Sequence, residues 1–130
     1  HVEVQVHRAA ERRADGELGD GTHLHAEIGR ARRAHAEVQA ADLVLRRAAA
    51  RFAAGLPCGD DANMGKLLAS EASWHAAEAC LQSHGGFGYA REYDVERKWR
   101  ETRLFQIAPI STNLVLSYIA EHMLGIPRSF

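Results

Sequence analysis

Between Leu24 and Phe52 one line of residues recurs at steps of three and four: Leu24, Ile28, Ala31, His35, Val38, Asp42, Leu45, Ala49 and Phe52. Only an α-helix gathers such a series on one face, and thirty residues of helix reach about 45 Å. Thr22 supplies a good N-cap, and Gly55-Leu56-Pro57 supplies a glycine stop with proline beyond it. A chain of 130 residues that commits so much of itself to one rod needs other helices to cover it. The rest of the sequence supplies them.

A second helix is expected to start after Asp60 or Asp61, either of which can cap it. Its apolar stripe is Met64, Leu67, Leu68, Ala72, Ala76, Ala79 and Cys80, flanked by Trp74 and Leu81, and it stops near His84 at the pair Gly85-Gly86. A third, shorter helix is capped near Asp94 and carries VERKWRETRLFQI. Pro109 breaks the chain, ISTNLVLSYIAEHMLG forms a fourth helix, and Gly125 and Pro127 end it. No segment reads as a sheet. Alanine is frequent at the facing positions, so the two longest helices are expected to pack closely and antiparallel across the 55–60 turn. The predicted architecture is an all-α four-helix bundle over 22–130, preceded by an irregular, glycine-rich segment over 1–21.

Composition narrows the function classes. Apolar residues make up 46% and charged residues 25%, and the formal net charge is −1, so no global field draws the chain to nucleic acid or an anionic membrane. No apolar run approaches the ~20 residues needed to span a bilayer, and the opening HVEVQVHRAAERRADG has no signal-peptide pattern. A soluble, cytoplasmic domain is expected. Cys58 and Cys80 lie in no motif and read as reduced thiols. His23-x-His25 places its rings on different sides of a helix, a poor metal pair, so no metal site is expected. His75 and His122 read as interfacial or surface residues. Trp74 and Trp99 read as core or interface aromatics, with Trp99 within stacking reach of Arg103. No Cys–His–Asp arrangement suggests a nucleophile.

The informative stretch is QSHGGFGYAREYDVERKWRETR, residues 82–103. Gly85, Gly86 and Gly88 are free to take positive φ and to present bare N–H groups, the geometry of an anion-binding nest. Arg97, Arg100 and Arg103 follow at three-residue steps, with Glu96/Arg100 and Arg97/Glu101 at i,i+4. Two readings stay open on spacing alone: a helix stop followed by surface ion pairs, or a site for an anion.

The same run closely resembles the signature near the C-terminus of the acyl-CoA dehydrogenase family. Gln82, Gly85, Gly86, Gly88, Tyr89, Glu92, Tyr93, Val95, Glu96, Arg97, Arg100 and Glu101 stand in register with it, and Lys66 in GKLLASEA falls where members often carry lysine. The resemblance covers roughly His35 to Phe130. It implies the C-terminal helical domain of a flavoenzyme that removes hydrogens from Cα and Cβ of an acyl-CoA thioester. In that family the double-glycine turn meets an FAD bound mainly by a neighbouring subunit.

By that resemblance the cofactor-binding residues are Gln82, Ser83, His84, Gly85 and Gly86, joined by Ser111, Thr112 and Asn113 at the flavin-contacting Thr-x-Gln positions. His84 is left between a cofactor contact and a helix cap. Arg97 and Arg100 are expected to tie the bundle together through carboxylates. The resemblance also implies a homo-oligomer, dimer or tetramer, with acyl-CoA as substrate only when the missing domains are present. Two departures stand out. Counting from Gly86, the glutamate that serves many members as base falls on Pro109, and the following glycine on Ile110, so the catalytic residue is unknown and the chain is expected to be inactive alone. Toward the N-terminus, ERRADGE keeps Arg12 and Gly16 of a phosphate-reaching element but has Asp15 at the aromatic position, and a stretch read out of frame is one explanation. The competing reading is a non-catalytic helical module, or remnant of such an enzyme, that self-associates.

Overall fold

The computed structural model describes residues 21–128, and every regular element among them is helical. Of the irregular segment expected over 1–21, residues 1–20, Arg12 among them, lie outside the described residues, as do the side chains of Thr22, His23, Leu24, His25 and Glu27, while Gly21 already belongs to the first helix. Helix α1 spans Gly21–Ala53, 33 residues, and α2 spans Gly59–His84, 26 residues. Two short 3-10 turns, Gly85–Tyr89 and Arg91–Tyr93, lead into α3, Val95–Ile107. Helix α4, Thr112–Tyr118, continues as a π-wound turn over Ile119–Met123.

The α1 stop follows from its glycine. Gly55 takes φ 68°, Leu56 N–H reaches the Arg51 carbonyl at 2.9 Å, and Gly55 N–H reaches that of Phe52 at 3.0 Å. This is the Schellman arrangement, which needs a residue free to turn left-handed. The chain then doubles back. Arg47 meets Asp61 beside the turn at 2.7 Å, Leu45 lies against Gly65, and Glu37 meets His75 at 2.7 Å farther along. Farther still, Ala31 packs on the cluster of Cys80, Leu81 and Val95. The two long helices are therefore antiparallel, as their alanine content predicts.

Their contact line is shifted from the predicted one. Buried on α1 are Ala34, Ala41 and Ala48, one residue before His35, Asp42 and Ala49 at each turn. Leu45 and Phe52, assigned to the inward face, are exposed, Phe52 by 76%. The cause is size. Three buried alanines at heptad spacing on α1, and buried Gly65, Ala72, Ala76 and Ala79 on α2, let the two axes approach closely, whereas a leucine line would hold them apart. On α2 the expected Ala72, Ala76, Ala79 and Cys80 are buried, but Leu68 stands at the surface.

Helix α2 is the hub, partner to every substantial helix–helix contact: α1 on one side, α3 and α4 on others. Val115 of α4 is 1% exposed, and Tyr118 donates to Asp60 Oδ1 at 3.1 Å, pinning α4 to the start of α2. Ser111 caps α4 by accepting from Leu114 N–H. At α3, Asp94 holds the N-cap position in a left-handed conformation (φ 61°), yet its carboxylate bonds Arg97 instead of the helix amides. At α2 the N-cap is Cys58, with Asp60 and Asp61 inside the first turn. The fourth helix is shorter than expected. Its second half is π-wound, with Leu124 N–H reaching Ile119 five residues back, so the described chain holds three long helices and a short fourth.

Candidate functional site

The double-glycine bend is built by the end of α2. Gly85 has φ 56° and ψ −137°, a region essentially reserved for glycine, and it donates its N–H to the Gln82 carbonyl. Gly86 and Gly88 do not take positive φ, so of the three glycines only Gly85 uses that freedom. Each has a different role. A Cβ on Gly88 would sit 2.9 Å from both the carbonyl oxygen and Cδ1 of Leu81, so Gly88 allows the turn to lie on α2. A Cβ on Gly86 would meet nothing within 4 Å. Nothing among the described residues requires glycine at 86. Bare backbone there faces open space, and that is where a group from outside can approach closely.

Of the other residues in this motif, Gln82 is exposed, its amide 3.5 Å from Glu78 Oε1. Ser83 is buried and donates to Ala79 O at 2.9 Å, so its side chain faces inward. His84 places Nδ1 2.8 Å from Cys80 O, the tautomer that leaves Nε2 as an acceptor, with its ring edge toward Tyr93. Replacing Gly85 by alanine is expected to cost about 1 kcal/mol, at the low end for a strained conformation because the turn is exposed. Urea unfolding checks this, and an unchanged midpoint would mean that the bend relaxes freely.

Ser111, Thr112 and Asn113 lie elsewhere. With Glu71, Arg103, Gln106 and Ile107 they line a cleft of about 360 Å³. Eleven positions of α2 separate Glu71 from Gln82, about 16 Å of helix rise. The structure thus gathers the eight predicted contacts into two groups, one at each end of that span. Thr112 Oγ1 donates to Gln106 O at 3.0 Å. The Ser111 hydroxyl oxygen accepts from Leu114, so its proton remains available, as does the Asn113 amide at the surface.

The arginines divide as well. Arg97 bonds Asp94 and, at 2.6 Å, Glu101, while Arg100 bonds Glu96 at 2.8 Å. These partners lie on α3 or at its cap, so the pairs brace one helix and do not tie the bundle. The guanidinium hydrogen bonds hold Asp94, Glu96 and Glu101 below the usual carboxylate range. Arg103 instead lies over the Trp74 ring, 5.3 Å from its centroid, and donates to Gln106 Oε1. Trp74 in turn sits 5.0 Å from Trp99, whose Nε1 donates to Glu78 Oε2 at 2.6 Å. The expected Trp99–Arg103 stack is replaced by one across helices. Glu71 and Gln106 were not singled out from sequence, since only tertiary packing brings them beside residues 111–113. Among the described residues no group of three metal-ligating side chains occurs, and no helix is long and apolar enough to cross a membrane.

An all-helical unit with a small alanine core, sixteen large apolar side chains exposed among the described residues and a glycine bend open to the outside has the form of a helical domain that meets other surfaces. Comparison with known proteins says which. Residues 1–124 match the family model described as Acyl-CoA dehydrogenase, C-terminal domain, and this chain belongs to that family. The match begins well before His35, where the motif resemblance fades. Acyl-CoA dehydrogenase FadE12 of Mycobacterium tuberculosis is 42% identical over 98 residues, 74% of this chain and 25% of that protein. An acyl-CoA dehydrogenase of Bacillus subtilis is 38% identical over 71 residues, 55% of this chain and 19% of its own length. The mitochondrial short/branched chain specific acyl-CoA dehydrogenase of Rattus norvegicus is 33% identical over 87 residues, 67% of this chain and 20% of its own length. The chain spans about a quarter or less of these curated relatives.

Proposed function

We propose that this chain serves as the C-terminal helical part of an FAD-dependent acyl-CoA dehydrogenase, presenting contacts to a flavin held mainly by other domains or a neighbouring subunit. The observation that carries the reading is Gly86: a glycine required neither by its backbone nor by its neighbours, beside a strained Gly85, in register with a family motif. The residues present fit a shared dinucleotide site. Gln82 offers an exposed amide and the 85–86 backbone approaches freely, while Ser111 and Asn113 offer donors 16 Å or so along α2. Bound FAD would supply the acceptor for hydrogen leaving Cβ of an acyl-CoA thioester. What this chain does is hold and orient.

Two further features support dependence on partner surfaces. Lys66 Nζ is screened from solvent with no hydrogen-bond acceptor among the described residues, a cost that an acceptor from elsewhere would relieve. Leu43, Phe52, Leu104 and Phe105, each more than half exposed, are surfaces that a second copy in a dimer or tetramer, or other domains, would cover. Cytoplasmic residence and a part in acyl-CoA oxidation belong to the same reading. Pro109, exposed in the α3–α4 connection, supports the alternative of a non-catalytic oligomerisation module, because a positioned base contributes roughly 10²–10⁴ in rate.

The test is to titrate FAD into the purified chain while following backbone amides by NMR and mass in solution by light scattering. Weak, fast-exchanging shifts at 82–86 and 111–113, with no flavin retained on gel filtration, are the expected result. Tight stoichiometric retention of yellow colour would defeat the shared-site reading. So would shifts confined to other surfaces.

A further inference from the structure

We propose that Arg103, and neither Arg97 nor Arg100, is the arginine of the 97–103 series that binds an oxyanion, and that a phosphoryl group docks in its cleft. The proposal rests on the flavin-docking reading and adds a subsite to it. Arg97 and Arg100 are neutralised by carboxylates of their own helix and cap, at 2.6 Å and 2.8 Å in the Glu101 and Glu96 pairs. Arg103 makes no ion pair with a carboxylate among the described residues. Its guanidinium is held by the Trp74 face and the Gln106 side-chain oxygen, so it is placed without being discharged. A planar fork fixed in this way loses little freedom when it grips an oxyanion.

The cleft around it has the matching chemistry. Ser111 still has a proton to donate, because its oxygen already accepts from Leu114. Asn113 adds an exposed amide, and the space of about 360 Å³ lies in the range of small-molecule pockets, enough for the phosphoryl portion of a larger ligand. Glu71 also lines the cleft. Its carboxylate repels an entering anion, which keeps the site weak and gives the test its sign. Two donors of phosphoryl groups share this chemistry, the diphosphate of a dinucleotide and the phosphates of a CoA thioester.

Inorganic diphosphate, titrated into the full chain at constant ionic strength, is the probe, and tryptophan fluorescence is the readout because Trp74 lies directly beneath Arg103. A saturable change is expected, weakened about tenfold in Arg103→Ala, the loss of one charge-assisted contact. Arg97→Ala and Arg100→Ala should stay within about twofold, their charges being paired and screened. Glu71→Gln should bind several-fold more tightly. Should Arg103→Ala fail to fold by circular dichroism, Arg103→Lys decides: it keeps the charge without the fork, and affinity should fall at least about threefold. No saturable change, an effect equal at all three arginines, an unaltered Arg103 variant, or weaker binding in Glu71→Gln each overturns the proposal. FAD and CoA as competitors identify the source. FAD shifts at 82–86 that are indifferent to Arg103 would remove this inference and leave the flavin reading. Diphosphate held at Arg103 with no FAD effect anywhere would do the reverse.

Discussion

A thiol reagent added to the native chain at pH 8 is expected to modify Cys58 at once and to leave Cys80 nearly untouched. Both thiols are free, Cys58 half-buried and Cys80 2% exposed. Burial pushes the Cys80 thiol up to about 11 from an ordinary 9.0. That difference alone leaves about a hundredfold less thiolate at pH 8, and the thiolate is the reacting species. His84 Nδ1 lies 3.7 Å from the Cys80 sulfur but only 2.8 Å from the Cys80 carbonyl, which is its closer partner. Modification of Cys80 must therefore wait for the junction of α1, α2 and α3 to open, because the residue sits in the cluster with Leu81 and Val95. The same burial sets a pH dependence. The folded value lies above the unfolded one, so the contribution is complete below pH 9 and is lost as pH rises to 11. The unfolded chain sheds its proton first, and stability falls by up to roughly 3 kcal/mol across that window. Cys80→Ala should lose this slope between pH 9 and pH 11 in urea titrations. Two thiols of equal, fast reactivity would show that the three-helix junction is not closed as described.

Sequence legibility followed interaction range. The Gly55-Leu56-Pro57 stop was readable because glycine conformation and proline chemistry act within a few residues, and a Schellman turn stands there. Helix existence was readable for the same reason. The inward line of α1 was misplaced by one residue because hydropathy favours Leu45 and Phe52, whereas close antiparallel contact favours alanine, and only the partner helix decides between them. Likewise spacing puts Arg103 within stacking reach of Trp99 on its own helix, but the ring beneath it is Trp74 of α2. The site divides in this way too. The double-glycine bend is local and was found by motif. The cleft joins Glu71 of α2 to residues 103–113, and no spacing rule announces a cavity made by three helices. Pro109 needed no structure at all: a side chain without an ionisable group is no base in any fold.

The glycine pair at 65 and 88 offers the sharpest contrast in packing. Alanine at Gly88 is expected to destabilise the chain by about 1–3 kcal/mol, the usual cost of forcing a methyl into filled space. The added Cβ would lie 2.9 Å from the Leu81 carbonyl oxygen, a backbone atom locked in α2, and equally close to Leu81 Cδ1. Relief requires the 3-10 turn over Gly85–Tyr89 to lift from the helix, so amide exchange at 85–89 should rise along with the loss of stability. Alanine at Gly65 meets a nominally closer atom, Leu45 Cδ2 at 2.6 Å, yet is expected to shift stability by less than about 0.5 kcal/mol. Leu45 is 41% exposed and can swing its tip outward. The glycine being replaced sits inside α2, where alanine gains close to 1 kcal/mol of helix propensity that offsets the displacement. Thermal or urea unfolding of the two single variants measures the difference directly. A Gly88 variant as stable as the parent would mean that the turn does not rest on α2. The backbone presented at Gly85 and Gly86 would then have no fixed support from which to meet a cofactor.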